Sequence, residues 1–302
     1  MPMDPHLQYR SRAIGRVDQS TSERHVGAWT LVEQIGLGRW SRVYAARPRD
    51  CPATWPADYA VKIAQADKSW AATSRRLLER EHIVASQVVD PHVITVLEAS
   101  ISETLGYLVM PRLEGSTVRA ALDAHGRFSA PHALWIARQV AQALAALHTA
   151  GWLHGDVKPD NIMVSPAGHA TLFDLGFALK LRSSECRTDG EIRGTMAYTA
   201  PEMISASALV DQSADIYSLG ITLYEMLTGQ IPFPSRQMET LLRAHLEEPL
   251  PNARRAVPSL PSEVQRLIKR MTAKQPLRRP SADELVWQLA ELEIEVFDDR
   301  VA

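Results

Sequence analysis

The sequence predicts an α+β chain of two unlike lobes: an antiparallel sheet with one helix, then a larger and mainly helical lobe. Three observations support this. Over the first ~110 residues, apolar and polar side chains alternate in short runs bounded by Gly, Pro and Asp. Beyond that point the apolar period lengthens to that of helices. The change falls at one place, near Met110–Glu114, and no internal repeat is visible.

Bulk properties narrow the possibilities. The chain has 302 residues, 45% hydrophobic and 23% charged, which is ordinary globular usage with room for a sizeable core. A net charge of −2 points to neither nucleic acid nor an anionic membrane surface. Cys51 and Cys186 are too few and too far apart for a disulfide framework, so a reducing compartment is expected. The N-terminus lacks the apolar core of a secretion signal, and no apolar run has the length of a membrane span. The expectation is a soluble, cytoplasmic protein with no membrane segment and no nucleic-acid partner.

The elements follow in order. Residues 1–28 are polar, rich in Arg and Ser and without period, and are expected to form a flexible arm. "WTLVEQIGLGRWSRVYAARP" alternates around Gly36 and Gly38, as strand, tight turn and strand do. "RDCPATWP" is a loop and "DYAVKIA" a third strand. From about Ser69 to Val88 a helix is predicted, since Leu77, Leu78, Ile83 and Val84 recur near a 3.6 period. "VITVLEAS" and "LGYLVM" return to strand.

After "PRLEGS" comes "SAPHALWIARQVAQALAALHTAG", a helix with Ser129 as N-cap, a stop at Gly151, and Ile136, Val140, Leu144 and Leu147 as its buried stripe. "HATLFDLG" is a short strand entering a glycine turn, and "IYSLGITLYEMLTG" a buried core helix. Ser281 with Glu284 forms a capping box, and Ser262 with Gln265 its amide version, marking two more helix starts. The expected division is an arm at 1–28, a sheet lobe at 29–110, a hinge at 111–114, a helical lobe at 115–295 and a tail at 296–302.

Several residues carry chemistry. Gly36 and Gly38 let the backbone approach a polyanion, although the third glycine of a G-x-G-x-x-G run is Ser41 here. Lys62 lies in a strand between Val61 and Ile63. Such a lysine either turns to water or faces a cleft and holds phosphate oxygens. In the second case it needs an anion partner, and Glu81 and Glu79 on the next helix compete for that role.

In "WLHGDVKPDNIMV", Asp156 can accept or orient a hydroxyl proton, and Lys158 can neutralise charge on a moving phosphoryl group. Asn161 and Asp174 supply hard oxygens suited to Mg2+. Phosphoryl transfer is mostly positioning plus electrostatics, so these few groups suffice. His154 reads as a core hydrogen-bonding residue rather than a base, and Lys269, Arg270, Lys274 and Arg278 as solvated surface.

Taken in order, "GLGRWSRV", "AVKI", "HGDVKPDN", "DLG" and "APE" resemble the signature set of the protein kinase superfamily, over about residues 29–295. "GTMAYTAPE" and "DQSADIYSLGITLYEMLTGQIPF" are similar to bacterial eukaryotic-like Ser/Thr kinases. The resemblance implies a bilobal fold with ATP and Mg2+ in the cleft at the hinge, and transfer of the γ-phosphoryl group to a protein hydroxyl. It implies that Lys62 pairs with Glu81 and the nucleotide phosphates, that Asp156 is the catalytic base assisted by Lys158, and that Asn161 and Asp174 are metal ligands. Val43, Ala60 and Met163 would sandwich adenine, with Met110 as gatekeeper. Ile35, Gly36, Gly38, Pro111 and Leu113 would complete the pocket. Glu202 would bond Arg279, and Asp215 would brace the catalytic loop. Self-association for autophosphorylation is also implied.

The departures carry their own expectations. Gly155 replaces the arginine that usually meets a phosphate on the activation loop, here Asp174 to Glu202. Phosphorylation at Ser183, Ser184 or Thr188 should therefore have little leverage. H-G-D also occurs in kinase-like small-molecule phosphotransferases such as aminoglycoside kinases. Lys158, a Thr195 bridge between Asp156 and Lys158, and the Glu202–Arg279 pair favour a protein substrate instead. A binding-only pseudokinase is disfavoured because Lys62, Asp156, Asn161 and Asp174 are all retained. Ala85 is small for its place, and Val84 or Leu97 is expected to fill the gap; Leu175 supplies the apolar packing of "DLG". Pro111 lacks an N–H but keeps its carbonyl for adenine.

Overall fold

Alternation along the first strands decides which side chains face inward. The structure, a computed structural model, describes residues 24–65, 71–102, 106–181, 183, 196–204 and 209–298. The sheet lobe runs β1 (Arg24–Val26), β2 (Trp29–Leu37), β3 (Ser41–Pro48), β4 (Tyr59–Ala64), α1 (Ala71–Ala85), β5 (Glu98–Ile101) and β6 (Gly106–Pro111). The strands form one six-stranded antiparallel sheet in the order β1-β2-β3-β4-β6-β5. On one face Val26, Ala46, Val61, Tyr107 and Val109 make a small cluster. On the other, Ala60, Leu108 and Met110 join the main core with Leu78, Val84 and Ala85 of α1. Period two therefore puts Lys62, which pairs with Leu108 in the ladder, on the main-core face.

The second lobe contains β7 (Ser116–Thr117), α2 (Val118–His125), α3 (Ala130–Thr149), β8 (Trp152–Leu153), β9 (Ile162–Val164), β10 (Ala170–Leu172), β11 (Leu179–Lys180), α4 (Pro201–Ile204), α5 (Ser213–Thr228), α6 (Met238–Glu247), α7 (Ser262–Met271) and α8 (Ala282–Asp298). β10, β9 and β7 form a three-stranded sheet, and β11 pairs with β8. Ile136, Val140, Leu144 and Leu147 of α3 are buried as their spacing requires. Every residue of α5 from Ala214 to Leu227 is buried, the mark of a helix at the centre of a lobe. Among the described residues, no helix is long and apolar enough to cross a membrane.

Some boundaries differ from expectation. Arg24–Val26, assigned to the arm, pair with Trp29–Leu31, because Val26 has a buried place beside Tyr107. α8 continues to Asp298, past the expected limit at 295, because Val296 is still in the core. α1 ends at Ala85 rather than Val88, and its expected start at Ser69 lies outside the described residues.

The Ser281 capping box forms, with Ser281 N–H donating to Glu284 (2.7 Å) and Glu284 N–H to Ser281 Oγ (3.3 Å). Its Ser262 counterpart does not form. Pro261 takes the cap position, and Gln265 Oε1 instead accepts from Ala253 N–H (2.7 Å), tying α7 to the turn Ala253–Arg255. Ser129 occupies the N-cap of α3, but its Oγ bonds His132 Nδ1 (3.0 Å) rather than a backbone N–H.

One polar cluster fastens the lower lobe. Arg279 meets Glu202 of α4 with both guanidinium ends (2.5 and 2.8 Å), and both side chains are buried. The guanidinium stacks on the Tyr217 ring at 4.9 Å. The Tyr217 hydroxyl reaches His245 Nδ1 (3.0 Å) on α6, and Lys274 Nζ donates to the carbonyls of Ala244 and His245 near the end of that helix. A cation on the last carbonyls of a helix is favourably placed.

This cluster predicts a pH effect on stability. Burial first, and then the Lys274 charge, push His245 down from 6.5 to about 4. An unfolded chain takes up that proton near 6.5, and the fold only near 4. Stability from this group is therefore complete above 6.5 and falls as the pH drops toward 4. The loss is on the order of 3 kcal/mol across that window. Thermal melts from about pH 7 down to about pH 4.5 should show a shallower fall of Tm for His245→Gln than for the unmodified chain. Parallel curves would refute the assignment.

Candidate active site

Lys62 is the starting point. An ammonium on a core-facing strand position is unfavourable unless it is paired. Its Nζ donates to Glu81 Oε2 on α1 (2.5 Å) and to Asp174 Oδ1 after β10 (2.8 Å). Glu79, the rival partner, is exposed. Burial alone would lower the Lys62 pKa, but Asp174 and then Glu81 outweigh it, so the ammonium is held well above its ordinary range. Burial likewise works against an ionised Asp174, yet Lys62 wins and the carboxyl is held below its usual range. At Glu81 burial prevails over the attraction of Lys62, with Asp174 adding to it, and the carboxyl is pushed up.

Asp174 reaches Lys62 through an unusual backbone. Its φ of 66° makes it the one non-glycine residue with positive φ among the described residues. Left-handed geometry costs a non-glycine residue roughly 1–2 kcal/mol. The helical turn that follows, Leu175–Phe177, buries Leu175 in the core, where the residue after Asp174 was expected to pack.

The loop after β8 is held from below. Asp215, buried on α5, accepts from the N–H of His154 (2.8 Å), the N–H of Gly155 (2.9 Å) and His148 Nε2 (2.9 Å). His154 is fully buried. Its Nδ1 accepts from Asp156 N–H (3.2 Å), so the ring proton sits on Nε2 and is donated to the Phe173 carbonyl (3.2 Å). That makes it a support and not a base. Gly155 has φ +79°, and a Cβ there would lie 2.7 Å from the Phe177 carbonyl oxygen. The missing arginine thus has a local backbone reason.

Three site residues converge in that loop. Asp156 Oδ2 accepts from Lys158 Nζ (2.6 Å) and from Asn161 Nδ2 (3.0 Å), while Asn161 Nδ2 also donates to the Asp156 carbonyl (2.8 Å). With its amide nitrogen bonded to Asp156, Asn161 turns Oδ1 away from that residue. Asn161 Oδ1 and the Asp174 carboxylate are hard oxygen donors that fit a divalent cation drawing its other ligands from phosphate and water. Among the described residues, no group of three or more His, Cys, Asp or Glu forms an all-protein cage.

The expected nucleotide pocket lines both lobes. Gly36 follows a bulge in β2, and a Cβ there would press Val43 at 3.3 Å. Gly38 N–H closes the hairpin onto the Ser41 carbonyl (2.9 Å). Ala60 pairs with Met110 across the ladder, and both are buried. Val43 and Leu113 pack half-buried against the main core. Ile35 is exposed on β2, Pro111 is exposed at the end of β6, and Met163 is half-buried on β9. Thr195, Ser184 and Thr188 lie outside the described residues, and Ser183 Oγ donates to the Lys180 carbonyl (2.6 Å). Leu97 is 53% exposed and fills nothing; Val84 is fully buried in the same core as Ala85. An open groove of about 630 Å³ lined by Val88, Val89 and Trp287 shares no residue with this cleft. Converging charge, rather than cavity size, locates the site.

Two groups escaped the sequence analysis. His148 ends the apolar stripe of α3, and a titratable side chain there signals a buried partner. Arg119 on α2 joins Tyr198 and Glu225 near the loop that carries Asp156, and nothing in its local sequence announces this.

A family profile described as "Protein kinase domain" matches residues 29–288. The chain belongs to the protein kinase family. Among similar curated proteins is a probable serine/threonine-protein kinase, pknA2 of Bifidobacterium longum, 31% identical over 283 residues, covering 91% of this chain and 37% of that protein. Serine/threonine-protein kinase PrkC of Bacillus subtilis is 31% identical over 257 residues, covering 85% and 39%. Serine/threonine-protein kinase PknH of Mycobacterium tuberculosis is 32% identical over 250 residues, covering 83% and 39%. This kinase chain therefore spans well under half the length of those relatives. Protein kinases use ATP and a divalent metal.

In this kinase domain the two acidic candidates on α1 separate cleanly. Glu81→Gln should lower kcat/KM for ATP at least about tenfold, whereas Glu79→Gln should stay within about twofold. Equal effects in steady-state assays would remove Glu81 from the site.

Proposed function

We propose that the chain is an ATP- and Mg2+-dependent serine/threonine protein kinase, with its catalytic unit spanning residues 29–295 together with the strand Arg24–Val26 and the end of α8. One observation carries this: the Lys62 ammonium is held at once by Glu81 of the sheet lobe (2.5 Å) and Asp174 of the helical lobe (2.8 Å). Asp156, Lys158 and Asn161 cluster in the loop after β8.

Lys62 binds the α/β-phosphate oxygens of the nucleotide, and the glycine-rich turn at Gly36 and Gly38 admits them close to backbone N–H groups. Asn161 Oδ1 and Asp174 hold Mg2+, which screens the phosphate charge. Asp156 orients the acceptor hydroxyl and takes its proton as the hydroxyl oxygen bonds the γ-phosphorus and the bond to the β–γ bridging oxygen breaks. Lys158, already on Asp156, neutralises charge on the moving group. The buried Glu202–Arg279 pair anchors α4, as a platform for a protein acceptor requires. The names of the curated relatives support serine or threonine as the acceptor.

Radiolabelled ATP with Mg2+ tests this reading. The unmodified chain should label itself or a general protein acceptor, and Asp156→Asn and Lys62→Met should each abolish labelling. Nucleotide binding without transfer would instead identify a scaffold, and transfer confined to small alcohols or amines an antibiotic-type phosphotransferase.

Regulation follows from position 155. With glycine there, a loop phosphate has no arginine at this position to meet. Replacing Ser183, Ser184 and Thr188 together by Ala should change kcat by less than about tenfold. A hundredfold loss would refute weak loop dependence.

A further inference from the structure

Three elements away from the nucleotide cleft enclose the open groove of about 630 Å³. The loop after α1 gives Val88 and Val89, and the first turns of α8 give Val286 and Trp287. α3 gives only small apolar side chains there, Ala145, Ala146 and Ala150, which pack against the main core and leave the space over them open. Val89 is 99% exposed and Trp287 74% exposed. Large apolar side chains held together in water at a concave surface mark a contact site. The lining also holds two carboxylates, Asp90 and Asp283, and no Lys, Arg or His. Asp90 Oδ1 accepts from the His92 N–H (2.8 Å), and Asp283 is exposed in the first turn of α8.

Charge decides between the occupants such a groove could take. A second copy of the chain, seated groove to groove, would bring the same two carboxylates to the seam, where like charges oppose each other. A segment both apolar and cationic is complementary. Residues 1–23 lie outside the described residues, and their sequence contains such a segment. It is "LQYRSRAIGRV", residues 7–17, with Arg10, Arg12 and Arg16, no acidic residue, and Leu7, Tyr9, Ile14 and Val17 as its larger apolar side chains. Arg24, where the described chain begins, is fixed by pairing with Leu31. Extended chain reaches roughly 24 to 58 Å over the steps back from Arg24 to this segment. A domain of this size has a radius of gyration of roughly 19 Å, so the segment can pass from the sheet edge to another face. We propose that residues 7–17 dock in the groove of their own chain, with the apolar side chains on Val89 and Trp287 and the arginines toward Asp90 and Asp283. The seat adjoins the end of the helix that carries Glu81: Gln87 of the lining donates its N–H to the Val84 carbonyl (3.0 Å), and its Oε1 accepts from Trp152 Nε1 (2.9 Å). The docked segment therefore bears on the C-terminal end of α1, and nothing in the docking depends on nucleotide or on phosphoryl transfer.

Trypsin acting on the full chain reads the docking directly, with cuts after Arg10, Arg12 and Arg16 timed by mass spectrometry. Trp287→Ala combined with Asp283→Asn changes two exposed positions, and Tm is recorded for the variant. Those three cuts should run at least about fivefold faster in the variant than in the unmodified chain, because cleavage follows the population of the undocked segment. A second measurement leaves the groove intact. In a chain carrying Arg10→Ser, Arg12→Ser and Arg16→Ser, oxidation of Trp287 by hydroxyl radicals should rise severalfold over the unmodified chain. Equal cutting rates in the unmodified chain and the groove variant would overturn the proposal, and so would unmoved oxidation of Trp287 in the arginine variant. Protection from trypsin that fades as the chain is diluted would assign the groove to a second copy and overturn docking within one chain.

Discussion

A buried strand position cannot hold a lone ammonium, and that constraint organises the cleft. Removing such a charge from water carries a penalty of several kcal/mol unless oppositely charged groups surround it. Lys62 meets it with two carboxylates from separate elements, Glu81 on α1 and Asp174 after β10. α1 must lie against the sheet for the first contact, and the turn after β10 must adopt its left-handed residue for the second. One cation thus fixes the placement of a helix and of a turn, and couples the two lobes. A triphosphate entering this cleft finds the cation already oriented and the carboxylate of Asp174 already ionised.

A single helix supports the other wall. α5 is apolar nearly throughout, but Asp215, Ser218, Thr222 and Glu225 recur at spacings of three, four and three residues, which puts them on one face. Asp215 holds the loop backbone at His154 and Gly155. Ser218 and Glu225 hold Tyr198 in the turn before α4. At 1.5 Å per residue, the ten steps from Asp215 to Glu225 make a strut of roughly 15 Å. The loop that carries Asp156 and the turn before α4 are spaced by that strut, and Arg119 reaches from one to the other. Asp215 and Glu225 are therefore explained by the loop and turn they satisfy, without which each would be an unpaired liability, whereas Thr222 Oγ1 donates within the helix to the Ser218 carbonyl (2.9 Å).

Much of this was legible in the chain, for reasons that differ by residue. The strands could be read because one sheet face is core and the other a smaller cluster, so alternation was enforced. Asp156, Asn161 and Asp174 drew attention because few residue types suit the chemistry, and the fold brings Asp156 to Asn161 and Asp174 to Lys62. The residues alone left Glu81 and Glu79 both open, since both lie on the same helix within one turn; the family resemblance pointed to Glu81, and Glu81 is the one that is buried on Lys62. Gln265 was misread because its contact with the Ala253 N–H joins parts of the chain whose proximity only the fold creates. The arm was drawn too long because a three-residue edge strand has no period of its own, and only the pocket beside Tyr107 orders Val26. Arg119 was invisible for the same reason: all its main partners lie far away in sequence.

Gly155 shows how a departure from the family pattern can be tied to the site itself. Its φ of +79° is available to glycine at little cost, and the Phe177 carbonyl closes the space where a side chain would begin, 2.7 Å from an added Cβ. Phe177 ends the helical turn that starts directly after Asp174. A side chain at 155 would therefore press on the same turn that follows Asp174. The loop and the turn approach each other so closely here that a side chain at 155 would require one of them to shift. Asp174 is anchored here by Lys62 and by the packing of Leu175 in the core.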